Sequence, residues 1–328
     1  MTLSLVIISL ILLALVFDFI NGFHDAANSI ATIVATETLT PRQAVVLACI
    51  FNIIGLFIFD LHIAATIGKG IVDPNIVDLA TIFGALTGAI IWNLITWYYG
   101  LPSSSSHALI GGIIGSAVAK AGFDIVILSG ITKVAIFIIL SPIIGFCLAF
   151  ILIIILKFCL KYIDSYSLFY RRLQIITCSL YSIGHGSNDA QKTAGVIFLI
   201  LVAGGIMNSN ENVPYWVAVI SFIVMGLGTL AGGWRIVETM GKKLARLDPR
   251  NGVAAEAAGS TLLFLTSSLG IPVSTTHCIT GSILGAGAAD DKKIIGWKVM
   301  KRIGMAWIIT IPCSAILSAC FYEFILLF

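Results

Sequence analysis

One stretch of this chain occurs twice, and it limits the possible folds more than any other feature. Gly100-Leu-Pro-Ser-Ser-Ser-Ser-His107, with a Gly- and Ala-rich apolar run to Ala119, returns as Gly270-Ile-Pro-Val-Ser-Thr-Thr-His277 with a matching run to Ala289, at an offset of 170 residues. Gly100/Gly270, Pro102/Pro272, Ser104/Ser274, His107/His277, Gly111/Gly281 and Gly115/Gly285 are identical, and a hydroxyl replaces a hydroxyl at Ser105/Thr275 and Ser106/Thr276. A proline, a hydroxyl cluster and then small apolar residues spell a helix start with Ser or Thr at the N-cap. Such an end carries unpaired N–H groups and the positive pole of the helix dipole, both suited to an anion. A single copy would be a capped helix with small residues for close packing. Two copies in one chain predict one anion held between two helix starts, because paired interrupted helices in corresponding halves mark a transport site.

That argument needs a membrane, and composition supplies it. With 59 % apolar and 11 % charged residues, the chain lies outside the range of soluble globular domains. Apolar runs of roughly 20 residues, long enough to cross a bilayer as helices, recur from end to end. The class is therefore an all-α polytopic membrane protein with the lipid bilayer as partner. The net charge of +3 comes with Lys and Arg in short loops and points to no nucleic acid. Seven cysteines are scattered through apolar segments without C-x-x-C spacing and read as small buried hydrophobes. The apolar N-terminus, Leu3 to Phe17, lacks a basic flank and reads as a retained membrane segment rather than a signal peptide.

Taken in order, Leu3 to Thr38 is too long for one straight span at about 1.5 Å per residue. Its polar interruption, Asp18 to Asn28, predicts a helix broken near Asn21-Gly22. A second span covers Ala44 to Ile67, with Asp60 and His62 at the interface. A third covers Leu79 to Tyr99, and its terminal aromatic residues form an interfacial belt or shield the hydroxyl loop. The first repeated stretch makes a hairpin with that span, Ala80 to Ala119, and Ile131 to Leu156 crosses. A basic loop, 157–172, divides the chain into a first repeat, 1–156, and a second, 173–328. Leu173 to Gly205 is predicted to break at Gly184–Lys192, where Gly22/Gly186, Asp25/Asp189 and Ala26/Ala190 coincide at an offset of 164 residues. Val213 to Gly232 crosses, Trp234 to Arg250 is a basic loop, Gly252 onward forms the second hairpin, and a last span ends the chain.

The basic loops at 157–172, 235–250 and 291–302 belong on the cytoplasmic side. Each half then makes three crossings and one hairpin. An odd number inverts the second half relative to the first, which predicts two inverted-topology repeats with both termini outside the cell membrane. Lys243 is expected to face the cytoplasm, and Asn210 and Phe328 the outside.

Helix-start hydroxyls suit an anion, and carboxylate and amide oxygens suit a hard cation. The candidates are Ser104, Ser105, Ser106, Ser274, Thr275 and Thr276 for the anion, and Asp25, Asn28, Asn188 and Asp189 for the cation. Burying an isolated anion costs on the order of tens of kcal/mol, a helix end returns about 0.3–2, and hydrogen bonds to a charge return about 1.5–3 each. A cation travelling with the anion closes that gap, so symport is the expected mechanism. Lys192 stands where the first half has Asn28; it neutralises the anion, replaces a second cation, or pairs with Asp189. Glu256 is a proton carrier or a structural acceptor. His107 and His277 are switches or ligands, or simply pack.

Asn21-Gly-Phe-His-Asp25-Ala-Ala-Asn28, His185-Gly-Ser-Asn-Asp189-Ala-Gln-Lys192, Gly232-Gly-Trp-Arg235-Ile-Val-Glu-Thr-Met-Gly241 and the stretches Pro102 to His107 and Pro272 to His277 resemble the PiT family of inorganic phosphate transporters. The resemblance covers essentially the whole chain, with the motifs in the family's order. It implies an all-helical fold of two inverted repeats, each with a broken helix and a hairpin near the membrane midplane. It also implies symport of phosphate with Na⁺ or H⁺, a homodimer, and no cofactor besides the transported cation. Asp25, Asn28, Asn188 and Asp189 match the family's Asn-Asp motifs, taken as the Na⁺ ligands, and Ser104 to Ser106 and Ser274 to Thr276 match its hydroxyl motifs. His24 stands where many members have Asn, and Gln191-Lys192 replaces the Asn of the more symmetrical members; both bear on the coupling ion. The family also includes sulfate carriers, so sulfate or another tetrahedral oxyanion is the alternative substrate, and a passive anion channel is a second alternative. An intramembrane hydrolase using Ser106, His107 and Asp25 is set aside: a catalytic triad needs no second copy, and no Gly-x-Ser-x-Gly elbow occurs.

Overall fold

Each half of the chain folds into a comparable succession of helices. The structure, a computed structural model, describes residues 2–290 and 294–327; Phe328 and the first three residues of the basic loop 291–302, with Lys292 and Lys293, lie outside them. The first half contains α1 (Thr2–His24), α2 (Ala26–Ala35), α3 (Pro41–Ile54), α4 (His62–Lys69), α5 (Leu79–Tyr98), α6 (Ser105–Ala121) and α7 (Leu128–Cys159). The second contains α8 (Leu168–Ala203), α9 (Tyr215–Ala231), α10 (Trp234–Glu238) running into a π turn at Thr239–Lys243, α11 (Pro249–Ser268), α12 (Thr275–Asp290) and α13 (Trp297–Ile325). Among the described residues the only β pairing is two isolated bridges, Val72 with Val126 and Ala245 with Ile295.

The local chemistry accounts for the element ends. Thr40 and Gln43 form a capping box before α3, with Pro41 at the first helical position. Asp78 and Asp248 cap α5 and α11 by accepting from Thr81 N and Asn251 N, each at 2.8 Å. Both hairpins turn on a left-handed glycine, Gly100 at φ 61° and Gly270 at φ 64°. Leu101 N donates to Thr96 O and Gly100 N to Trp97 O, each at 2.9 Å; Ile271 N donates to Thr266 O at 2.9 Å and Gly270 N to Ser267 O at 3.1 Å. These are paired Schellman endings, which place glycine where the backbone must turn left-handed.

The distribution of polarity is reversed relative to a water-soluble protein. Ile8, Leu12, Ile139, Ile151 and Ile154 are all at least half exposed, whereas Asp18, Asp25, Asn28, Asn188, Asp189 and Lys192 are at most 2 % exposed. An apolar exterior around a polar centre is what lipid as solvent requires. Four described helices are long and apolar enough to cross a membrane, or six if each of two sharply bent helix pairs counts as one span. The chain is an all-helical, multi-pass membrane protein.

The breaks differ from those expected. The 36-residue α8 runs uninterrupted through Gly184–Lys192, so the second predicted break is absent. Gly184 and Gly186 serve close approach instead: a Cβ at Gly184 would lie 2.8 Å from the Leu263 side chain, and one at Gly186 would overlap the Asn52 backbone. In the first half, the interruption is one residue, Asp25 (φ −92°, ψ 3°), rather than Asn21-Gly22. Gly22 stays helical because its missing side chain makes room for the Met225 backbone of α9. The sharp bends lie elsewhere, one per half: 82° between Pro41–Phe57 and His62–Lys69, and 64° between Tyr215–Ala231 and Trp234–Lys243. The second span, expected from Ala44 to Ile67, bends, and the expected loop after Trp234 is helical to Lys243.

The two sequence repeats interlock. Helix α7 packs on α12, and α13 packs on α6. Thr66 of α4 donates to Gly270 O at 2.8 Å, and Thr239, at the end of α10, donates to Gly100 O at 2.9 Å. Each bent pair thus holds the other half's hairpin turn through the same contact.

Candidate functional site

The hairpins bring the starts of α6 and α12 face to face. Ser104 Oγ accepts from His107 N and Ser274 Oγ from His277 N, both at 3.2 Å, as N-caps. The His107 and His277 rings meet edge to face at 4.7 Å between centroids, and His277 stacks on Trp307 at 3.7 Å. Trp307 Nε1 in turn donates to Pro102 O at 3.2 Å. The packing role of the two histidines is thus realised, and Ser104 and Ser274 give one acceptor position each to the backbone.

The next two hydroxyls of each start reach the acidic segments. Ser105 Oγ bonds Asp25 Oδ2 and Asn21 Oδ1. Asn28 Nδ2 donates across the halves to Thr275 Oγ1 at 3.2 Å and Thr276 Oγ1 at 3.0 Å. Thr275 Oγ1 donates to Asp189 Oδ2 at 3.0 Å. Lys192 Nζ donates to Ser106 Oγ and Asp189 Oδ1, both at 2.6 Å, and to Val273 O at 2.8 Å. All four hydroxyls are at most 4 % exposed. The tertiary fold therefore gathers Ser105, Ser106, Thr275, Thr276, Asp25, Asn28, Asp189 and Lys192 into one buried cluster.

Around it stands a second ring of polar side chains. His24 Nδ1 lies 2.7 Å from Asp25 Oδ1, and its Nε2 lies 3.0 Å from Thr96 Oγ1, to which Ser103 also donates at 2.8 Å. His185 Nε2 lies 3.2 Å from Asp189 Oδ2, off the line of a hydrogen bond, and His185 Nδ1 lies 3.2 Å from Asn52 Oδ1. Tyr181 OH donates to Thr275 O at 3.0 Å, fixing the start of α12. Both polar atoms of the Asn188 side chain are buried without a hydrogen-bond partner. A buried amide left open in this way has the donor capacity of a ligand.

Asp25, Asp189 and His185 each offer one ligand atom, and these atoms lie within 4.8 Å of one another. Two carboxylates that close repel by roughly 3–4 kcal/mol at an effective dielectric constant of about 20. Lys192 offsets one of them. The second has His24 beside it at 2.7 Å, and the set of carboxylate, amide and hydroxyl oxygens has the hardness that suits a hard cation.

Two candidates lie apart from this cluster. Gln191 holds the start of α4: its Oε1 accepts from Ile63 N at 3.0 Å and Ala64 N at 3.3 Å, and its Nε2 donates to Asp60 O at 3.0 Å. Glu256 forms a separate node, accepting from Thr32 and Thr177 hydroxyls at 2.6 Å each and from Gln174 Nε2 at 3.1 Å. Oε1 takes the Thr32 and Gln174 bonds, and Oε2 the Thr177 bond. Asn21 and His185 were not expected as site members, and His24, singled out only for its bearing on the coupling ion, lies against Asp25. Asp18, Asn21, Asp25 and Asn28 recur at intervals of three and four, the spacing of one helix face, and that spacing is the signal that identifies Asn21. His185 follows from the same spacing, four residues before Asp189.

The model of the phosphate transporter family matches twice, over residues 21–167 and 160–318. A probable low-affinity inorganic phosphate transporter of Rhizobium meliloti is 49 % identical over 318 residues, covering 96 % of this chain and 95 % of that protein. One of the same description from Bacillus subtilis is 46 % identical over 319 residues, covering 96 % of each. Among solved structures, the sodium-dependent phosphate transporter superposes with a TM-score of 0.90 over 100 % of both chains at 24 % identity, and so shares the fold. A family model that fits each half separately, and relatives 46–49 % identical along nearly their whole length, make this chain a member of the phosphate transporter family.

Proposed function

We propose that this chain imports inorganic phosphate by symport with Na⁺. The anion sits between the starts of α6 and α12, on Ser105, Ser106, Thr275 and Thr276, with the backbone N–H groups beyond Ser104 and Ser274. The cation sits on Asp25, Asn28, Asn188 and Asp189. The observation that carries this reading is the pairing of two facing, hydroxyl-lined helix starts with two buried carboxylates, of which Lys192 offsets only one. Hydroxyls donate without adding fixed charge, which leaves the anion releasable. Protonated phosphate can also donate a hydrogen bond to Asp25 or Asp189, and sulfate cannot. In proteoliposomes, an inward Na⁺ gradient should drive labelled phosphate above its external level, and excess sulfate should compete poorly. Uptake that follows only a proton gradient would move the coupling to H⁺; equal competition by sulfate would widen the substrate to tetrahedral oxyanions; equilibration without accumulation would make the protein a channel.

The reciprocal contacts between halves support a pseudo-twofold relation, since each half grips the other through the same elements. If α8 also crosses, and α5–α6 and α11–α12 are taken as hairpins rather than spans, each half makes three crossings and a hairpin with each bent pair as one crossing. Such an arrangement inverts the second half and sets the hairpins near the midplane. Both termini then lie outside a plasma membrane, and a homodimer belongs to the same reading. Asn210 and Lys243 are both exposed. With the exposed Cys147, Cys159 and Cys320 replaced, Asn210→Cys should react with an impermeant thiol reagent in intact cells, and Lys243→Cys only after permeabilisation. The reverse pattern overturns the orientation.

A further inference from the structure

We propose that Lys192 is a built-in cation: its ammonium occupies, in the second half, the position of an ion that the first half must take from solution. This rests on the cation-coupled reading of the site. Lys192 corresponds to Asn28 and Asp189 to Asp25 at the offset of 164 residues, and Ser106 corresponds to Thr276 at the offset of 170. The contacts obey that correspondence. Asn28 Nδ2 reaches Thr276 Oγ1 at 3.0 Å, and Lys192 Nζ reaches Ser106 Oγ at 2.6 Å.

The ammonium is surrounded as a metal ion would be. A carboxylate oxygen, a hydroxyl oxygen and a backbone carbonyl, Asp189 Oδ1, Ser106 Oγ and Val273 O, lie 2.6–2.8 Å from Nζ. This is a hard-oxygen set. An ammonium has three N–H donors and no acceptor, and these three oxygens use all of them. Lys192 is 2 % exposed, and no donor remains for an anion. Its contribution to phosphate is therefore charge, delivered through Ser106 and Asp189, rather than a direct bond. In the first half Asn28 brings no charge, so Asp25 is left to an exchangeable cation. The consequence is a difference in coupling: this chain moves one fewer cation per phosphate than a chain with an amide at both positions.

The test is the charge moved per phosphate, taken from the reversal potential of uptake in proteoliposomes at fixed pH. Lys192→Asn should raise it by one positive charge and make uptake depend on cation concentration more steeply, the Hill coefficient rising from about one towards two. Lys192→Met removes the charge and supplies no oxygen, so it should lose uptake without any gain in cation dependence. An unchanged charge ratio in a transporting Lys192→Asn, or the same cation dependence in the two variants when both transport, overturns the proposal. Should Lys192→Asn fold but not transport, equilibrium binding of radioactive Na⁺ to purified protein decides, with one extra ion per chain expected and no extra ion contradicting it. Should it not fold, Asn28→Lys reads the same idea from the other half, with one bound ion fewer expected and no change contradicting it. Wild-type protein that takes up phosphate without any cation gradient defeats the symport reading itself, an outcome distinct from these.

Discussion

Asp189→Asn is expected to abolish gradient-driven phosphate uptake while the protein still inserts into the membrane. Among the described residues Asp189 is the only carboxylate on Lys192, at 2.6 Å, and it also accepts from Thr275 at 3.0 Å with His185 at 3.2 Å. Neutralising it leaves an ammonium buried in the membrane without its counter-charge. Breaking a buried ion pair from one side costs about 3–5 kcal/mol, which corresponds to a loss of roughly two to three and a half orders of magnitude in any equilibrium that depends on it. Asp25→Asn should also abolish coupled uptake but destabilise less, because Asp25 is met by His24 and the Ser105 hydroxyl rather than by an ammonium. The pair can be separated from the ligand role by a double-mutant cycle: Asp189→Asn combined with Lys192→Asn should recover much of the thermal stability lost in the single variant. Wild-type ion dependence in Asp189→Asn would reassign that carboxylate to a purely structural role.

The second large effect is steric and lies along the helices that follow the site. A Cβ at Gly115 would overlap the Ala315 backbone of α13, and one at Gly285 would overlap the Phe146 backbone of α7. Gly111 stands in the same way against Ile311, and Gly281 against Pro142. These are two Gly-x-x-x-Gly faces, and in lipid such faces hold helices together through close backbone packing. Gly115→Val therefore meets backbone that has no rotamer to change. A loss beyond the usual overpacking cost of about 1–3 kcal/mol is expected, seen as failure to elute as a monodisperse species in detergent. Gly304 is the internal control: it lies in α13 with nothing within 4 Å of its Cβ position. Gly304→Ala should be neutral or stabilising by up to about 1 kcal/mol, the helix-propensity difference. Equal tolerance of both substitutions would show that the two hairpin helices are not locked to α7 and α13.

The membrane class, the helical hairpins with their glycine turns and serine caps, and most of the buried cluster were legible in the residues. Hydrophobic run length, turn chemistry and N-cap preference are properties of a few adjacent residues, so Gly100, Gly270, Ser104 and Ser274 declare their roles locally. Duplication added a long-range fact that local rules cannot supply, namely that Ser105, Ser106, Thr275 and Thr276 share one place. The misreadings came from the same source as the successes. Gly184 and Gly186 look like breakers when only the chain is considered, yet α8 passes through them straight, because a glycine's missing side chain can admit a neighbouring backbone as easily as it can permit a turn. The 64° bend falls at Gly232-Gly233, where Gly232 takes the left-handed conformation (φ 70°), and the 82° bend falls at residues 58–61, beside Asp60; no break was expected at either.

Sequence alone determined which residues are too polar for lipid and that they come in two matching sets. Tertiary structure decided how the sets meet: Asn28 to Thr276 and Lys192 to Ser106 across the halves, Gln191 turned to the start of α4, and Glu256 enclosed by Thr32, Gln174 and Thr177. The physical reason is that burying a polar group carries a cost wherever it occurs along the chain, whereas the partner that offsets the cost is chosen by which helices pack together.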